Sequence, residues 1–319
     1  MTIATLSSAC GFLFVFRALL VFLGVWVRRC RDRWHAQHRE GPMPYWKWEP
    51  SNCALEGVNP ENFCRVMDGR KGILFVGDSL TGQTVDTLAA ILDAESIAFK
   101  RNAFSKLTAC GGALKFSWYR NDYLDTRTTA SGGFKNIYCA DSAFGSSRCV
   151  VFADDAILEE YDTLLVNSGA HQVKGDLEGY KQLMKAASEN LTASMERLHG
   201  DNAILIVRNT SPGHWDNLGR TFDGPVDIDE ANRHVAAGPP SYGWTKFTEK
   251  NEIIEEAFLQ VAGGNWTLMD VYTPTVLRVD MHGSSRDGLH YCVPGPLDHW
   301  ITLLYNILSE KTKKATAKV

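Results

Sequence analysis

Gly72-Ile-Leu-Phe-Val-Gly-Asp-Ser79 is the stretch that decides the predicted fold of this 319-residue chain. Its apolar run over residues 72–76 has the length and composition of a buried strand, and residues 80–93 have the pattern of an amphipathic helix. A serine therefore stands at the turn between a strand and a helix. Because helix N-termini carry partial positive charge, the backbone N–H of Ser79 is suited to stabilise a developing oxyanion.

Strands and helices continue to alternate along the rest of the chain. Strands are predicted over residues 163–166, 203–207 and 266–270, and helices over residues 177–199, 246–262 and 296–310. This alternation predicts an α/β fold with a mostly parallel, doubly wound sheet, in which ligands bind beyond the carboxyl ends of the strands. Residues 113–153, with mixed short strands, Gly pairs and cysteines, are predicted to form an irregular excursion.

A pair of polar residues that suits catalysis with Ser79 lies near the C-terminus. Asp287 and His290 are three residues apart, a spacing at which a tight turn can hold the carboxylate against the imidazole Nδ1 and leave Nε2 to accept a serine proton. The pair follows the last predicted strand, so we expect it at the same sheet edge as Ser79. The sequence thus predicts a Ser–His–Asp triad. The alternatives are an N-cap serine and a surface Asp beside a satisfied His.

Two further loops after predicted strands carry polar groups. In Asn167-Ser-Gly-Ala-His171 the amide of Asn167 can donate to an oxyanion, with a backbone N–H of Gly111 or Gly112 as another donor. An Asx-turn is the alternative role for Asn167. The stretch Arg208-Asn-Thr-Ser-Pro-Gly-His214 either shapes a substrate cleft or forms only a turn.

The composition is that of an ordinary globular protein. Hydrophobic residues make up 45% and charged residues 22%, and a net charge of −4 without a basic stripe argues against nucleic-acid binding. No Cys or His cluster has the spacing of a zinc site, so no metal is predicted. The nine Trp are more than usual; most are expected in the core, and stacking surfaces of a sugar cleft are the alternative.

The N-terminal region is predicted to hold a membrane anchor. Residues 9–27 are almost continuously apolar, and Arg17 at their centre costs about 2.5–3.5 kcal/mol on insertion scales, which the apolar neighbours offset. We predict a signal-anchor or transmembrane segment over residues 1–27, with a signal peptide as the alternative. The positive-inside rule would keep the basic flank that follows in the cytoplasm, against a lumenal domain. Its arginines are Arg28, Arg29, Arg31 and Arg33.

Three further segments follow the anchor. A stem linker is predicted over residues 28–44, a catalytic domain over residues 45–310 and a disordered tail over residues 311–319. The domain has an even number of cysteines, which favours disulfides and the secretory pathway, with reduced cytosolic thiols as the alternative. They are Cys53, Cys64, Cys110, Cys139, Cys149 and Cys292. The N-glycosylation sequons at Asn190, Asn209 and Asn265 are weak evidence for the secretory pathway, because about two sequons are expected by chance in such a chain.

Six stretches resemble, in chain order, the trichome-birefringence-like (PC-esterase) family of the SGNH/GDSL superfamily. They are Tyr45-Trp-Lys-Trp-Glu-Pro-Ser-Asn-Cys53, Leu74-Phe-Val-Gly-Asp-Ser-Leu80, Leu114-Lys-Phe-Ser-Trp118, Val166-Asn-Ser-Gly-Ala-His171, Val207-Arg-Asn-Thr-Ser-Pro-Gly-His214 and Asp287-Gly-Leu-His-Tyr-Cys-Val-Pro-Gly-Pro-Leu-Asp-His-Trp300. The resemblance covers about residues 45–308. The last stretch is the most specific, because its Asp, His, aromatic, Cys, Pro-Gly and Trp all follow the family order.

The resemblance implies an SGNH-type three-layer α/β/α sandwich that acetylates polysaccharides in the Golgi. It implies Ser79 as the nucleophile, His290 as the base and Asp287 as its orienting acid. The implied oxyanion donors are the N–H of Ser79, a glycine among Gly111 and Gly112, and Asn167. We also predict substrate contacts from Asp78, His171, Arg208, His214 and Tyr291. No bound cofactor is expected; an acetyl donor, for which acetyl-CoA is a candidate, is the co-substrate.

The chain departs from the family pattern at three places. Gly82-Gln83 stands where plant members usually have Arg-Asn, and Gly288 stands where they have Cys, which predicts that one family disulfide is missing or rerouted. The Asn167 loop has an extra residue and lacks the paired tryptophans of plant members. The form Asp-Gly-Leu-His is closer to that of sialic-acid O-acetyltransferases and other non-plant relatives.

These observations together predict a carbohydrate O-acetyltransferase that works by double displacement through an acetylated serine. An acetylesterase with the same triad and an inactive glycan-binding relative are the alternatives. The predicted location is the membrane of the Golgi or another secretory compartment, with a lumenal catalytic domain, or else secretion. The expected partners are a carbohydrate acceptor and the membrane, without nucleic acid; the oligomeric state is not predicted.

Overall fold

The computed structural model describes residues 18–19, 45–46, 48–50, 53–126, 148–171, 176–215, 224–239, 243–284 and 287–316. The strands are β1 Ala18–Leu19, β2 Tyr45–Trp46, β3 Ile73–Gly77, β4 Glu95–Lys100, β5 Phe104–Ala109, β6 Leu114–Arg120, β7 Thr163–Val166, β8 Ile204–Arg208, β9 Trp266–Met269, β10 His282–Ser284 and β11 Asp287–Tyr291. The helices are α1 Pro60–Val66, α2 Ser79–Leu92, α3 Asp155–Leu158, α4 Leu177–His199, α5 Ile228–Ala236, α6 Phe247–Leu259, α7 Tyr272–Thr275 and α8 Pro296–Thr316. Short 3₁₀ turns lie at Cys110–Gly112, Gly200–Asn202, Trp244–Lys246 and Val279–Met281.

Seven strands form one sheet in the order β4-β5-β6-β3-β7-β8-β9. The five strands from β6 to β9 run parallel, whereas β4 pairs with β5 and β5 with β6 in antiparallel fashion. Parallel strands joined by helices are covered on both faces, which explains why β3, β7 and β8 are almost wholly apolar. The predicted α/β class with a mostly parallel sheet is confirmed.

Alternate residues of β3 show how the sheet separates two helical layers. Ile73 and Phe75 pack into a core with residues of α1, α2 and α8. Leu74 and Val76 pack into a second core with residues of α4 and α6. Because successive side chains of a strand point to opposite faces, this division gives the three-layer α/β/α arrangement.

Two predictions about the chain's organisation are wrong. Residues 114–120, expected in an irregular excursion, form β6 between β5 and β3 in the middle of the sheet, and the hairpin β4–β5 was not predicted. Six of the seven residues of β6 are buried, so it lacks the apolar–polar alternation that marks a strand with one exposed face. The tail predicted to be disordered from residue 311 continues as α8 through Thr316, because its Lys and Ala residues favour propagation of an existing helix.

The N-terminal predictions fall mostly outside the described residues. β1 pairs with β2 in a small antiparallel ladder, and the rest of the predicted anchor over residues 1–27 is not described, nor is the predicted stem over residues 28–44. Within the described ranges, no helix combines the length and apolar character that crossing a bilayer requires. The anchor and the boundaries of the stem and the catalytic domain at their N-terminal ends stay predictions.

A disulfide joins α1 to the β5–β6 turn. Cys64 is bonded to Cys110, across a separation of 46 residues. The other cysteines of the described ranges, Cys53, Cys149 and Cys292, are disulfide-bonded as well. The prediction that the domain contains disulfides is confirmed, whereas Cys139 lies outside the described residues.

Removal of this disulfide is expected to lower stability while sparing the site described below. The double variant Cys64→Ser/Cys110→Ser should lose about 2–4 kcal/mol of unfolding free energy, because the bond restricts the unfolded chain over a 46-residue separation. Urea unfolding of both proteins measures the loss. An unchanged urea midpoint would contradict the stabilising role of the bond.

Candidate active site

Ser79 lies at the turn from β3 into α2, at the carboxyl edge of the sheet. Asp78 is the N-cap of α2, and its Oδ1 accepts hydrogen bonds from the N–H groups of Leu80 at 2.9 Å and Thr81 at 3.3 Å. The cap does not engage the N–H of Ser79, whose side chain is partly exposed. Gly77 is required at this turn because a Cβ there would lie 2.9 Å from the carbonyl oxygen of Asn167.

The structure brings Ser79, His290 and Asp287 together. The Oγ of Ser79 lies 2.7 Å from the Nε2 of His290, although the two residues are 211 positions apart in the chain. The Nδ1 of His290 lies 2.9 Å and 3.0 Å from the two carboxylate oxygens of Asp287. The carboxylate favours the tautomer with hydrogen on Nδ1, so that Nε2 is left to accept the serine proton.

The Asp–His pair occupies a strand rather than the tight turn predicted from its spacing. Both residues belong to β11, which forms a two-stranded antiparallel hairpin with β10. Within β11, Asp287 Oδ1 also accepts hydrogen bonds from the backbone N–H groups of Leu289 at 3.2 Å and His290 at 3.1 Å. Three donors therefore fix the carboxylate beside the imidazole.

Hydrogen bonding keeps Asp287 charged. Burial alone would raise the pKa of this carboxyl, but the hydrogen bonds and charge of His290, with the N–H of Leu289, lower its pKa to about 2. The carboxylate is therefore ionised at any pH at which acyl chemistry would proceed, and it can stabilise a positive charge on His290.

Contacts from three directions hold β11 in place. The N–H of His214 donates to the carbonyl of Gly288 at 2.7 Å, and the hydroxyl of Tyr291 donates to the carbonyl of Pro212. The Nδ1 of His282 lies 2.9 Å from the carbonyl oxygen of His290. Sequence reasoning did not assign a role to His282, and no motif marked it.

Gly288 is expected to tolerate no larger side chain. A Cβ at this position would overlap the backbone carbonyl of His214, so Gly288→Ala should displace β11 and lower both stability and activity. Overpacking of this kind costs about 1–3 kcal/mol, and a backbone obstacle places the effect near the upper end. Thermal unfolding and steady-state kinetics of the variant measure both losses. A control is Gly57→Ala, since a Cβ at Gly57 meets no atom within 4 Å; equal behaviour of the two variants would contradict the expectation.

The prediction that Gly111 or Gly112 lines the oxyanion hole is wrong. Both lie in the turn between β5 and β6, and β6 runs parallel to β3 from this turn towards the carboxyl edge. The turn is thus at the opposite edge, about 20 Å from Ser79 given roughly 3.3 Å per residue of β6. The β5–β6 hairpin, which was not predicted, reverses the chain and causes the error.

The prediction that Asn167 donates to an oxyanion is also wrong in this structure. Asn167 is fully buried at the end of β7. Its Nδ2 donates to the carbonyl of Arg208 at 3.0 Å and to the hydroxyl of Thr210 at 3.3 Å. Both donor hydrogens of the amide are used to tie the β7 loop to the β8 loop.

Asp78 and Arg208 do not line a substrate surface, contrary to the prediction. Both are fully buried beneath the turn at Ser79, with Arg208 Nη2 3.8 Å from Asp78 Oδ1 and 3.0 Å from the hydroxyl of Thr81. The guanidinium of Arg208 lies over the ring of Trp300, 5.0 Å from its centroid. Burial lowers the pKa of Arg208 to about 10, and the charge of Asp78 opposes this shift. The pair supports the turn from within.

His214 and Tyr291 are likewise buried, so their predicted substrate contacts are wrong. The ring nitrogens of His214 lie 2.8 Å from His282 Nε2 and 2.8 Å from the carbonyl oxygen of Val276. Burial, and secondarily His282, lowers the pKa of His214 well below its usual value. Polar residues after strands were expected at the surface, but backbone carbonyls and neighbouring rings satisfy these two inside the protein.

His171 lies at the carboxyl edge in a charged cluster that sequence reasoning missed. Its Nε2 is 3.6 Å from a carboxylate oxygen of the buried Asp122, which also forms a bidentate pair with Arg120 at 2.9 Å and 3.2 Å. Arg148 Nε is 3.7 Å from the same carboxylate. Burial lowers the pKa of His171, although Asp122 opposes the shift. Asn121 N–H donates to the carbonyl of Gly77, which places the cluster next to the β3–α2 turn. Substrate contact by His171 stays a prediction.

The arrangement suits nucleophilic acyl chemistry. Ser79 has a base at hydrogen-bonding distance, the base has an orienting carboxylate, and a helix N-terminus lies at the nucleophile. Among the residues that the structure describes, no group of three His, Cys, Asp or Glu side chains has the geometry to hold a metal ion.

Comparisons with known proteins show the family of the chain. Residues 55–307 match the family model described as PC-Esterase, a GDSL/SGNH-like acyl-esterase family found in Pmr5 and Cas1p. Two similar relatives are from Arabidopsis thaliana: trichome birefringence-like 38 is 24% identical, with 83% of this chain and 73% of the relative covered, and xyloglucan O-acetyltransferase 1 is 23% identical, with 83% and 70% covered.

Solved structures align only weakly. One is a peptidoglycan O-acetylesterase, at 10% identity and a TM-score of 0.36 over 82% of this chain and 99% of that chain. This similarity adds nothing to the fold described above. Because the family model spans most of the chain, this protein belongs to the PC-esterase family of GDSL/SGNH-like acyl-esterases.

Proposed function

We propose that this protein transfers acetyl groups to hydroxyls of a carbohydrate, through an acetyl-serine intermediate at Ser79. The observation that carries the proposal is the contact between Ser79 Oγ and His290 Nε2 at 2.7 Å, backed by Asp287. Several relatives of the chain bear the name xyloglucan O-acetyltransferase, which supports a polysaccharide acceptor.

The first half of the reaction acetylates the enzyme. His290 Nε2 takes the hydroxyl proton as Ser79 Oγ attacks the acetyl carbonyl of the donor. The N–H of Ser79, at the N-terminus of α2, stabilises the oxyanion. The imidazolium, held by Asp287, then gives its proton to the leaving group, and acetyl-Ser79 remains.

The second half passes the acetyl group to the sugar. A hydroxyl of the acceptor gives its proton to His290 Nε2 as its oxygen attacks the acetyl carbonyl. The tetrahedral intermediate collapses, the bond to Ser79 Oγ breaks, and the proton returns from His290 to the serine. The products are the acetylated sugar and free enzyme.

A transfer assay with and without acceptor tests this function. The purified protein is incubated with an acetylated donor, and acetate and acetylated oligosaccharide are both measured. With the wild-type protein, we expect the oligosaccharide to be acetylated at the expense of free acetate. Ser79→Ala should produce neither acetylated oligosaccharide nor free acetate. Release of acetate that is indifferent to the oligosaccharide would instead identify an acetylesterase with the same triad. Unchanged acetylation of glycans by Ser79→Ala would favour an inactive glycan-binding protein.

We further propose that the protein works in the lumen of the Golgi or another secretory compartment, held by the apolar segment of residues 1–27. The disulfide between Cys64 and Cys110 supports an oxidising compartment.

This location predicts which sequons carry glycans. Asn190 and Asn265 are exposed and should be glycosylated. Asn209 should not, because its side chain is buried and donates to Glu255 at 3.2 Å and Asp270 at 2.8 Å. Glycosidase digestion of the protein from secretory cells should shift its mobility. The double variant Asn190→Gln/Asn265→Gln should show no shift, and a remaining glycan on Asn209 would contradict the expectation.

A further inference from the structure

We propose that Gln83 is a positioning residue that holds the strand of His290 at the correct distance from Ser79; this inference rests on the function proposed above. The Nε2 of Gln83 donates to the carbonyl oxygen of Tyr291 at 3.1 Å. The N–H of Tyr291 donates to the Oε1 of Gln83 at 3.3 Å. One side-chain amide therefore binds both backbone polar groups of the residue that follows the proposed base.

The spacing of these contacts links the nucleophile to its base. Ser79 and Gln83 are four residues apart on α2, so they lie on the same face, one helical turn from each other. His290 and Tyr291 are consecutive in β11. The helix consequently meets the strand at two neighbouring points, of which one is the proposed proton transfer and the other is the amide pair of Gln83.

The other edge of β11 has a different partner. Tyr291 faces His282 of β10 in the antiparallel register, and the N–H of the following Cys292 donates to the carbonyl of Met281 at 2.8 Å. On the side towards α2, the Gln83 amide occupies the position that a neighbouring strand would take in a wider sheet. Loss of this amide would remove the tie between β11 and α2 next to the proposed base, so that the remaining contacts of β11 would let His290 shift away from Ser79.

Two substitutions separate positioning from simple packing. Gln83→Met keeps the length of the side chain and removes both hydrogen bonds. Gln83→Glu keeps the shape and makes the contact depend on protonation. A neutral carboxylic acid can accept from the N–H of Tyr291 and donate to its carbonyl, as the amide does. An ionised carboxylate has no hydrogen to donate and repels that carbonyl.

The chain offers a matched control at Asn306 of α8. Its Oδ1 accepts from the N–H of Glu56 at 3.0 Å, and its Nδ2 donates to the carbonyl of Glu56 at 2.9 Å. The side-chain amide of Asn306 thus binds both backbone polar groups of one residue, as that of Gln83 does, but in a contact that does not involve β11. Asn306→Asp introduces the same change of chemistry as Gln83→Glu.

The experiment measures kcat and KM of acetyl transfer for wild type, Gln83→Met, Gln83→Glu, Asn306→Asp and Ser79→Ala between about pH 5 and pH 8, a window chosen around the titration of a partly buried Glu. Circular dichroism checks folding at each pH. Activities are compared as ratios of variant to wild type. The ionisable side chains close to the contact are present in wild type and variant alike, so a change of the ratio with pH reports the substituted side chain. They are Asp86 on α2, His282 on β10, and Asp287 and His290 on β11.

For Gln83→Met we expect kcat to fall by about 10- to 100-fold, the effect of a small misplacement of reacting groups, with KM for the glycan within about threefold of wild type. The ratio for Gln83→Glu should rise as the pH falls, since protonation restores the donor to Tyr291. The ratio for Asn306→Asp should stay constant.

Two distinct results would overturn the inference. Full kcat in Gln83→Met, or a ratio for Gln83→Glu that does not change with pH, would remove Gln83 from the positioning of His290 while Ser79→Ala remained inactive. Activity of Ser79→Ala equal to wild type would instead overturn the proposed function, and the role of Gln83 with it.

Discussion

Replacement of Ser79 by alanine is expected to abolish acetyl transfer while the protein stays folded. The hydroxyl oxygen is the only non-hydrogen atom that Ser79→Ala removes, and it lies 2.7 Å from His290 Nε2 at a partly exposed position. Removal of a serine nucleophile from a triad lowers kcat by about 10³- to 10⁶-fold. Kinetics of acetyl transfer to an oligosaccharide measure the loss, and thermal unfolding checks that the fold is retained.

A double variant makes this expectation sharper. Because the triad acts as a unit, Ser79→Ala/His290→Ala should be no less active than Ser79→Ala alone. Additive losses would indicate that the two residues act in separate steps. Retention of more than a tenth of wild-type activity by Ser79→Ala would contradict the role of Ser79 altogether.

Asp287→Asn is expected to give the second-largest loss. The amide of asparagine can donate to the imidazole and stabilise the wrong tautomer, with hydrogen on Nε2, which then cannot accept the proton of Ser79. It also removes the negative charge that balances the imidazolium. Substitution of this kind lowers kcat by about 10⁴-fold in a comparable triad. Steady-state kinetics at neutral pH measure the effect, and kcat within about tenfold of wild type would contradict it.

The same substitution changes the dependence of stability on pH. The pKa of Asp287 is about 2 in the folded protein and 3.8 as its ordinary value, so the native state favours the charged form. This contribution to stability is fully present above the ordinary value and is lost as the pH falls through the folded one. In Asp287→Asn this contribution is absent, so the free energy of unfolding should fall less steeply than in wild type as the pH is lowered through this range. Asp155→Asn removes a carboxylate from an exposed ion pair with Arg197 and serves as the control: its dependence of stability on pH should stay close to that of wild type.

The central parallel strands and their helices were predictable from the sequence. The strand over residues 163–166 and the helix over residues 177–199 have the predicted bounds in the structure. Both have strong local patterns, a short wholly apolar run and a long amphipathic repeat, so tertiary contacts did not have to decide them.

The antiparallel edge of the sheet was not predictable in the same way. β4 carries exposed Ile97 and Phe99, and β6 is buried at nearly every position, so neither has the alternation of a half-buried strand. Because these strands were not predicted, the sequence did not indicate at which edge of the sheet the turn at Gly111 lies. Its assignment to the oxyanion hole failed because that assignment depended on long-range strand order, which a local pattern does not contain.

Residue type alone also did not distinguish supporting residues from surface ones. Arg208, His214 and Tyr291 come after predicted strands and are polar, as residues that contact substrate often are, but the structure buries all three. Gln83 was visible only as a departure from the relatives. Its pairing with Tyr291 requires α2 and β11 to meet, and 208 residues separate the partners in the chain.

The acetyl-enzyme itself provides the most direct measurement. The full-length protein is mixed with an acetyl donor in the absence of glycan, quenched in acid and analysed by peptide mass spectrometry. Acetyl transfer through the nucleophile predicts one acetyl group on the peptide that contains Ser79, its loss when an oligosaccharide acceptor is added before the quench, and its absence from Ser79→Ala. An acetyl group on another residue that turns over with the acceptor, or glycan acetylation that proceeds with Ser79 unmodified under every quench time, would contradict it.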